Sequence, residues 1–214
     1  MLLVKKINED FAGDFSSEQS VENLNSVLND LQKHALEFHL WKNENDDTPK
    51  VCFSIAHNSH SIFLKFFVEE NEIRANITKT NGAVWKDSCV EFFISFNESG
   101  YYNFEFNCIG TVLAAFGKNR NERTFLPEEV LKKIETQTKL TKGSNRFYWK
   151  MLIVIPIQTF IHDSFQSLDG IIGKGNFYKC GDELSQSHYL VWSKIHSDKP
   201  DFHLPQFFGE IRFE

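Results

Sequence analysis

Residues 84–117 read VWKDSCVEFFISFNESGYYNFEFNCIGTVLAAFG, and their pattern decides the fold. Val90, Phe92, Ile94 and Phe96 share one face, with Glu91 and Ser95 on the other. Beyond Asn97-Glu98-Ser99-Gly100, Tyr102, Phe104, Phe106 and Cys108 oppose Tyr101, Asn103, Glu105 and Asn107. Period-two alternation of this strength predicts two half-buried antiparallel strands. A slip of one residue would turn every side chain over. The pairing that keeps the apolar faces together therefore sets Phe96 opposite Tyr102, Phe92 opposite Phe106 and Val90 opposite Cys108, around a loop of residues 97–101. The second face then carries Glu91 across from Asn107, Ser95 across from Asn103, and Glu105 diagonal to Glu91. With Trp85 at its edge, such a face suits a polar ligand.

Outward from this hairpin, alternation recurs in Val51–His57 and Ile62–Val68, which flank an Asn58-Ser59 turn. Ile73–Thr78 reads as a further short strand, and Asn81-Gly82 as a tight turn. Leu2–Ile7, Phe147–Ile157, His188–Ile195 and Phe207–Phe213 complete the strand pattern, while Lys118–Leu126 reads as loop. Ser20 is placed to cap a helix through Ala35, since Val21, Leu24, Leu28, Leu31 and Ala35 fall on one face. The polar run NENDDTP, residues 43–49, breaks the chain after Trp41. A second, short helix is expected over Pro127–Ile134, with acids first and lysines last, matching the helix dipole. Many short strands with two modest helices indicate an all-β protein, an antiparallel sandwich. Its 214 residues fit a single domain, with residues 1–40 as an arm and helix packed on it.

Composition narrows the function. The 23 basic and 29 acidic residues give a net charge of −6, and no basic stripe interleaves with the aromatics, which argues against nucleic acid. No segment has the length of a membrane span, and no secretory leader pattern opens the chain. The expectation is a cytoplasmic protein, or a periplasmic or extracellular one if a leader has been removed. Cys52, Cys89, Cys108 and Cys180 show no Cys-x-x-Cys spacing and are expected to be free thiols. The 22 Phe point to broad sheet faces packed by flat rings.

The stretch Trp85-Lys-Asp-Ser-Cys-Val-Glu91-Phe-Phe-Ile94 resembles the Trp-x-Asp-Asp-x-x-Glu-x-Phe signature of carbohydrate-binding module family 9, a jelly-roll-like sandwich of the DOMON group. Residues 51–68, the run GNFYKCGDELSQSHYLVWSKI (175–195) and the closing Pro205-Gln-Phe-Phe-Gly209-Glu-Ile are similar to it in the same order. The resemblance implies binding of a mono- or oligosaccharide, in carbohydrate catabolism. It makes Trp85 a stacking platform and Glu91 an acceptor for sugar hydroxyls, with Tyr178 or Trp192 as a second platform. Arg74, Asn176, Lys179 and Asp182 fall in the family's binding stretches, and Asn103, Glu105 and Asn107 share the polar face of the hairpin. Structural calcium is common in the family, but no Asp-rich loop for it occurs here; no other metal site or cofactor is expected.

The residues favour a sugar independently. Pyranose rings present C–H faces that stack on indole, and their hydroxyls need carboxylate and amide partners. Each residue also has a plainer role open to it: Trp85 could anchor its loop in the core, and Glu91 and Glu105 could form a solvated polar ladder. Two further function classes compete. Diagonal carboxylates roughly 7–8 Å apart could serve as a glycosidase pair, Glu91 and Glu105. A protein-interaction module that kept the fold is the third class.

Overall fold

A computed structural model describes residues 1–7, 17–42 and 47–214; residues 43–46 of the polar breaker lie outside them. Strands numbered in chain order form two layers. One runs β10 (Glu135–Lys142), β11 (Phe147–Pro156), β5 (Ser61–Glu70) and β4 (Lys50–His57), with β2 (His34–Ala35) also on β4. The other runs β14 (Gly209–Phe213), β12 (Ile172–Cys180), β6 (Cys89–Asn97), β7 (Gly100–Asn107), β8 (Val112–Gly117) and β9 (Arg123–Phe125). Strand β13 (Tyr189–Val191) extends this layer from β12 and carries β3 (Phe38–Leu40). The first strand, β1 (Leu2–Lys6), stitches the layers together. Its Leu2–Val4 pairs in parallel with β14 and its Lys5–Lys6 in parallel with β4.

The inner faces meet in an aromatic core. Phe53 of β4 stacks on Phe177 of β12 at 3.7 Å, and Phe177 stacks on Phe92 of β6 at 4.8 Å. Flat rings let two twisted sheets approach without voids, which is the use the chain makes of its phenylalanines. The all-β sandwich expected from the pattern is the architecture found.

Helix α1 (Glu18–Asp30) covers the outer face of the first layer, where Val21, Leu24 and Leu28 meet Ala56, Phe63, Leu152 and Val154. Its limits differ from those expected. Ser17, rather than Ser20, is the N-cap and accepts from the Ser20 amide at 3.1 Å. The helix ends at Asp30 because Leu31 turns extended, Lys33 Nζ takes up the carbonyls of Leu28, Asn29 and Leu31, and Ala35 joins β2. The second helix, α2 (Glu128–Leu131), stands within its expected span, with Pro127 as its N-cap.

Two strands were hidden in polar sequence. β10 (ETQTKLTK) and β9 both sit at sheet edges, where charged side chains guard unpaired backbone. Conversely, Ile73–Thr78 is no strand. Its backbone groups pair elsewhere: the Arg74 carbonyl accepts from Ser88 N, and the Ile77 amide donates to Asp87 Oδ2.

The central hairpin corrects the expected register. Val90 faces Phe106, Phe92 faces Phe104, and Glu91 stands directly opposite Glu105. Only Glu98 and Ser99 connect the strands, and the pairing shifts between Ile94 and Asn97. Ser95 fills that bulge, donating to the carbonyls of Asn97 and Gly100 at 2.6 and 2.7 Å. The error is two residues, so each side chain keeps its face and only the partners change. The second face is not an open polar ladder either. Phe93, Tyr101 and Tyr178 lie on it and seed a second core with Val84, Leu113, Val191, Ile195, Phe202 and Phe208. Glu91 and Glu105 are left only 3% exposed.

Candidate functional site

Where this second core stops, a cleft of about 240 Å³ opens over β6 and β7. Its floor holds Glu91 and Glu105, brought side by side by the register, with Cys180 of β12 next to them. Trp85 stands at one wall, half-buried, on a 3-10 turn (Val84–Lys86). Tyr189 and Phe202 form another wall. Trp41 supports them, meeting Tyr189 edge-on at 5.8 Å and donating its indole N–H to the Ser197 carbonyl at 2.7 Å. Arg123, placed by β9, reaches back over the floor to within 3.7 Å of Glu105.

The floor is short of hydrogen bonds. Asn103 Nδ2 donates to Glu105 Oε1 at 2.9 Å, yet Glu105 Oε2, Asn103 Oδ1 and Arg123 Nη1 are buried with no hydrogen-bond partner. Buried polar atoms are almost always paired, so such a concentration marks a surface built for something else to complete. The Cys180 thiol donates to Glu91 Oε1 at 3.0 Å. Burial, with Cys180 and Glu105 alongside, raises the Glu91 carboxyl well above the carboxylate range. Burial pushes Glu105 up to about 7, against the pull of Arg123 and Asn103.

The structure divides the residues singled out by sequence. Trp85, Glu91, Glu105 and Asp182 line the cleft. Asn103 lies behind it, holding Glu105. Arg74 and Asn107 do not reach it but brace the Trp85 turn through the buried Asp87: Arg74 Nη1 at 3.3 Å from Oδ1 and Asn107 Nδ2 at 2.9 Å from Oδ2. Arg74 also pairs with Glu183. Asn176 is buried and tied to the Ser193 backbone at both ends of its amide. Tyr178 is fully buried beneath Phe202, stacked at 4.3 Å with its hydroxyl on the Phe202 carbonyl. Trp192 packs edge-on against Phe53 and Phe177 at the main core. Lys179 points to the opposite side of the sheet, into a buried ion pair with Glu70 at 2.8 Å.

Sequence reasoning missed Arg120, Arg123, Tyr189, Asp201, Phe202 and His203, all at the cleft. Asp201-Phe202-His203 between Pro200 and Pro205 has the look of an ordered loop, but nothing in the chain says which sheet it crosses. Arg123 sits in a polar run that reads as loop until β8 pairs with it.

Among the described residues, one group of three His, Cys, Asp or Glu side chains brings its ligating atoms together: Cys89, Glu91 and Cys180, mutually within 4.8 Å. Two sulfurs do not suit calcium, which takes six to eight oxygens. No helix of the described residues is long and apolar enough to cross a membrane.

Comparisons with known proteins agree with this architecture. A crystal structure of a candidate carbohydrate-binding protein from Bacteroides uniformis superposes with a TM-score of 0.88 at 38% identity, covering 100% of this chain and 98% of that one. A carbohydrate binding module of family 9 from Caldicellulosiruptor kristjanssonii in complex with glucose gives 0.62 at 13% identity, over 100% and 95% of the two chains. The same organism's family 9 module in complex with cellotriose gives 0.61 at 12% identity, over 100% and 93%. No curated protein matches the sequence. The sequence model of carbohydrate-binding family 9 matches residues 21–213, and the chain therefore belongs to that family.

Proposed function

We propose that the chain binds a terminal sugar of a mono- or oligosaccharide in the cleft over β6 and β7. The observation that carries this reading is the pairing of aromatic walls with a hydrogen-bond-starved floor. Trp85, with Tyr189 and Phe202, offers rings to the C–H face of a pyranose. Glu105 Oε2 has no hydrogen-bond partner in the protein and Arg123 Nη1 has only a 3.7 Å ion pair to Glu105 Oε1, so they offer an acceptor and a donor. At about 240 Å³ the cleft is smaller than the ~300–1,000 Å³ typical of drug-sized ligands, which suits one ring with the rest of the chain outside. Asp182, on the rim, adds a further acceptor. The complexes of family 9 modules with glucose and cellotriose support the same ligand class.

Titration calorimetry with glucose and cellotriose tests the proposal. Trp85→Ala is expected to weaken binding by about 2 kcal/mol, as for a buried aromatic anchor, or roughly thirtyfold. Wild-type affinity in both Trp85→Ala and Glu91→Gln would place the ligand elsewhere. Turnover of an aryl glycoside that disappears in Glu105→Gln would replace binding by hydrolysis.

A further inference from the structure

Cys89 and Cys180 are exact partners across the β6–β12 ladder, and Glu91 follows Cys89 by two residues on the same face. The three side chains thus converge from two rigid strands rather than from loops. All are buried, and their ligating atoms lie within 4.8 Å of one another. We propose that Cys89 Sγ, Cys180 Sγ and the Glu91 carboxylate form a site for a borderline-soft divalent cation, zinc being the metal this donor set favours.

Three observations converge on a cation. First, the donors match: two thiolates and a carboxylate are ligands zinc takes, and three protein ligands leave a fourth tetrahedral position open. Second, that position has access, because Glu91 and Cys180 are floor residues of the cleft while Cys89 lies behind them. Third, Glu91 has no cationic partner of its own. No ion pair to Glu91 forms among the described residues: Arg123, the cation over the floor, stands 3.7 Å from Glu105 instead. The nearby cations are engaged elsewhere: Arg74 and Lys86 pair with Glu183, and Lys179 with Glu70 on the other side of the sheet. A buried carboxylate beside other acids needs either a proton or a cation. The Cys180 thiol donates a hydrogen bond to Glu91 Oε1 at 3.0 Å, so the two groups already meet through a proton. Metal uptake removes that proton, as it does from every thiol that becomes a ligand.

The test contains no sugar, so its result stands apart from the proposed function. Reduced, metal-free protein is titrated with Co²⁺ as a spectroscopic stand-in for zinc. One equivalent is expected to raise a thiolate-to-cobalt charge-transfer band and tetrahedral visible bands, both removed by Zn²⁺. Cys89→Ser and Cys180→Ser should abolish the charge-transfer band, and Cys52→Ser should leave it intact. Glu91→Gln should lower affinity by at least the ~10–100-fold that loss of an outer partner costs. X-ray absorption of the zinc-loaded wild type needs no variant, and should find about two sulfurs at ~2.3 Å with lighter scatterers completing the shell. Absence of a thiolate band in the folded, reduced protein, or a shell of nitrogen and oxygen alone, would overturn the proposal.

Discussion

Strand β12 borders a buried polar cluster on each of its faces, and the two are built on opposite terms. Toward the main core, Lys179 Nζ forms an ion pair with Glu70 Oε2 at 2.8 Å and hydrogen bonds with His188 Nε2 at 2.8 Å and the Cys180 carbonyl at 2.9 Å. Trp149 Nε1 adds a bond to Glu70 Oε1 at 2.6 Å. Toward the cleft, Glu91 faces Glu105, the Cys180 thiol donates to Glu91, and Glu105 Oε2 is buried without a hydrogen-bond partner. Both clusters are desolvated. The first pairs opposite charges and ties the two layers together; the second sets two acids side by side beside an opening. Burial alone thus does not distinguish the two clusters, and the state of the partners does.

The sharpest way to break this contrast is Lys179→Met, which strands Glu70 as an uncompensated buried charge. Urea unfolding should show a loss of about 3–5 kcal/mol, with sugar affinity of the folded fraction unchanged. A loss under about 1 kcal/mol would mean that the inner cluster is not a structural tie. Glu91→Gln should behave in the reverse way. Sugar affinity is expected to fall about 2–10-fold, the worth of a hydrogen bond between neutral groups, while unfolding stability holds or rises, since burial already disfavours the carboxylate.

A pH titration of stability sharpens the comparison further. Burial, helped by Lys179, lowers His188 from 6.5 to about 2, so the folded protein keeps it neutral. Below 6.5 the unfolded chain takes up a proton that the folded chain does not. Stability therefore falls on acidification, by up to about 1.4 kcal/mol per pH unit. Glu105 acts with the opposite sign: its raised carboxyl favours the folded state below 4.5, and this contribution is lost as pH rises through about 7. Comparing wild type with His188→Gln by thermal unfolding between pH 7 and 5 isolates the first effect, and the variant should lose less stability. The smallest change is Arg123→Met. Its contact with Glu105, at 3.7 Å, is loose, and burial pushes the Glu105 carboxyl up to about 7 so that a proton can replace the guanidinium; stability should move by less than about 1 kcal/mol. Sugar affinity should still drop measurably in calorimetry, because Nη1 is the donor the cleft holds in reserve.

That Trp85 and Glu91 lie together, as they do at the cleft, could be read locally because their spacing spans one turn and one strand. The same local reading misassigned Asn107, Arg74 and Asn176, whose amide and guanidinium groups look identical whether they meet a ligand or a backbone. Only the buried Asp87, receiving both Arg74 and Asn107, shows that these two residues position the Trp85 turn. Lys179 was misplaced for a simpler reason. It neighbours cleft residues in sequence, but alternation along β12 sends it to the other side of the sheet.

Period-two alternation by itself determined the all-β fold, the hairpin and the face on which each residue lies, because the pleat enforces that period whatever the partner. It could not determine partners across the hairpin. A two-residue shift absorbed by the Ser95 bulge keeps every face, yet it turns a diagonal pair of glutamates into a facing one. Nor could it tell that the polar face is roofed by residues more than eighty positions away, Val191, Ile195, Phe202 and Phe208. That roof leaves the carboxylates desolvated and stops short over Trp85, which turns the surface expected from the sequence into a cleft.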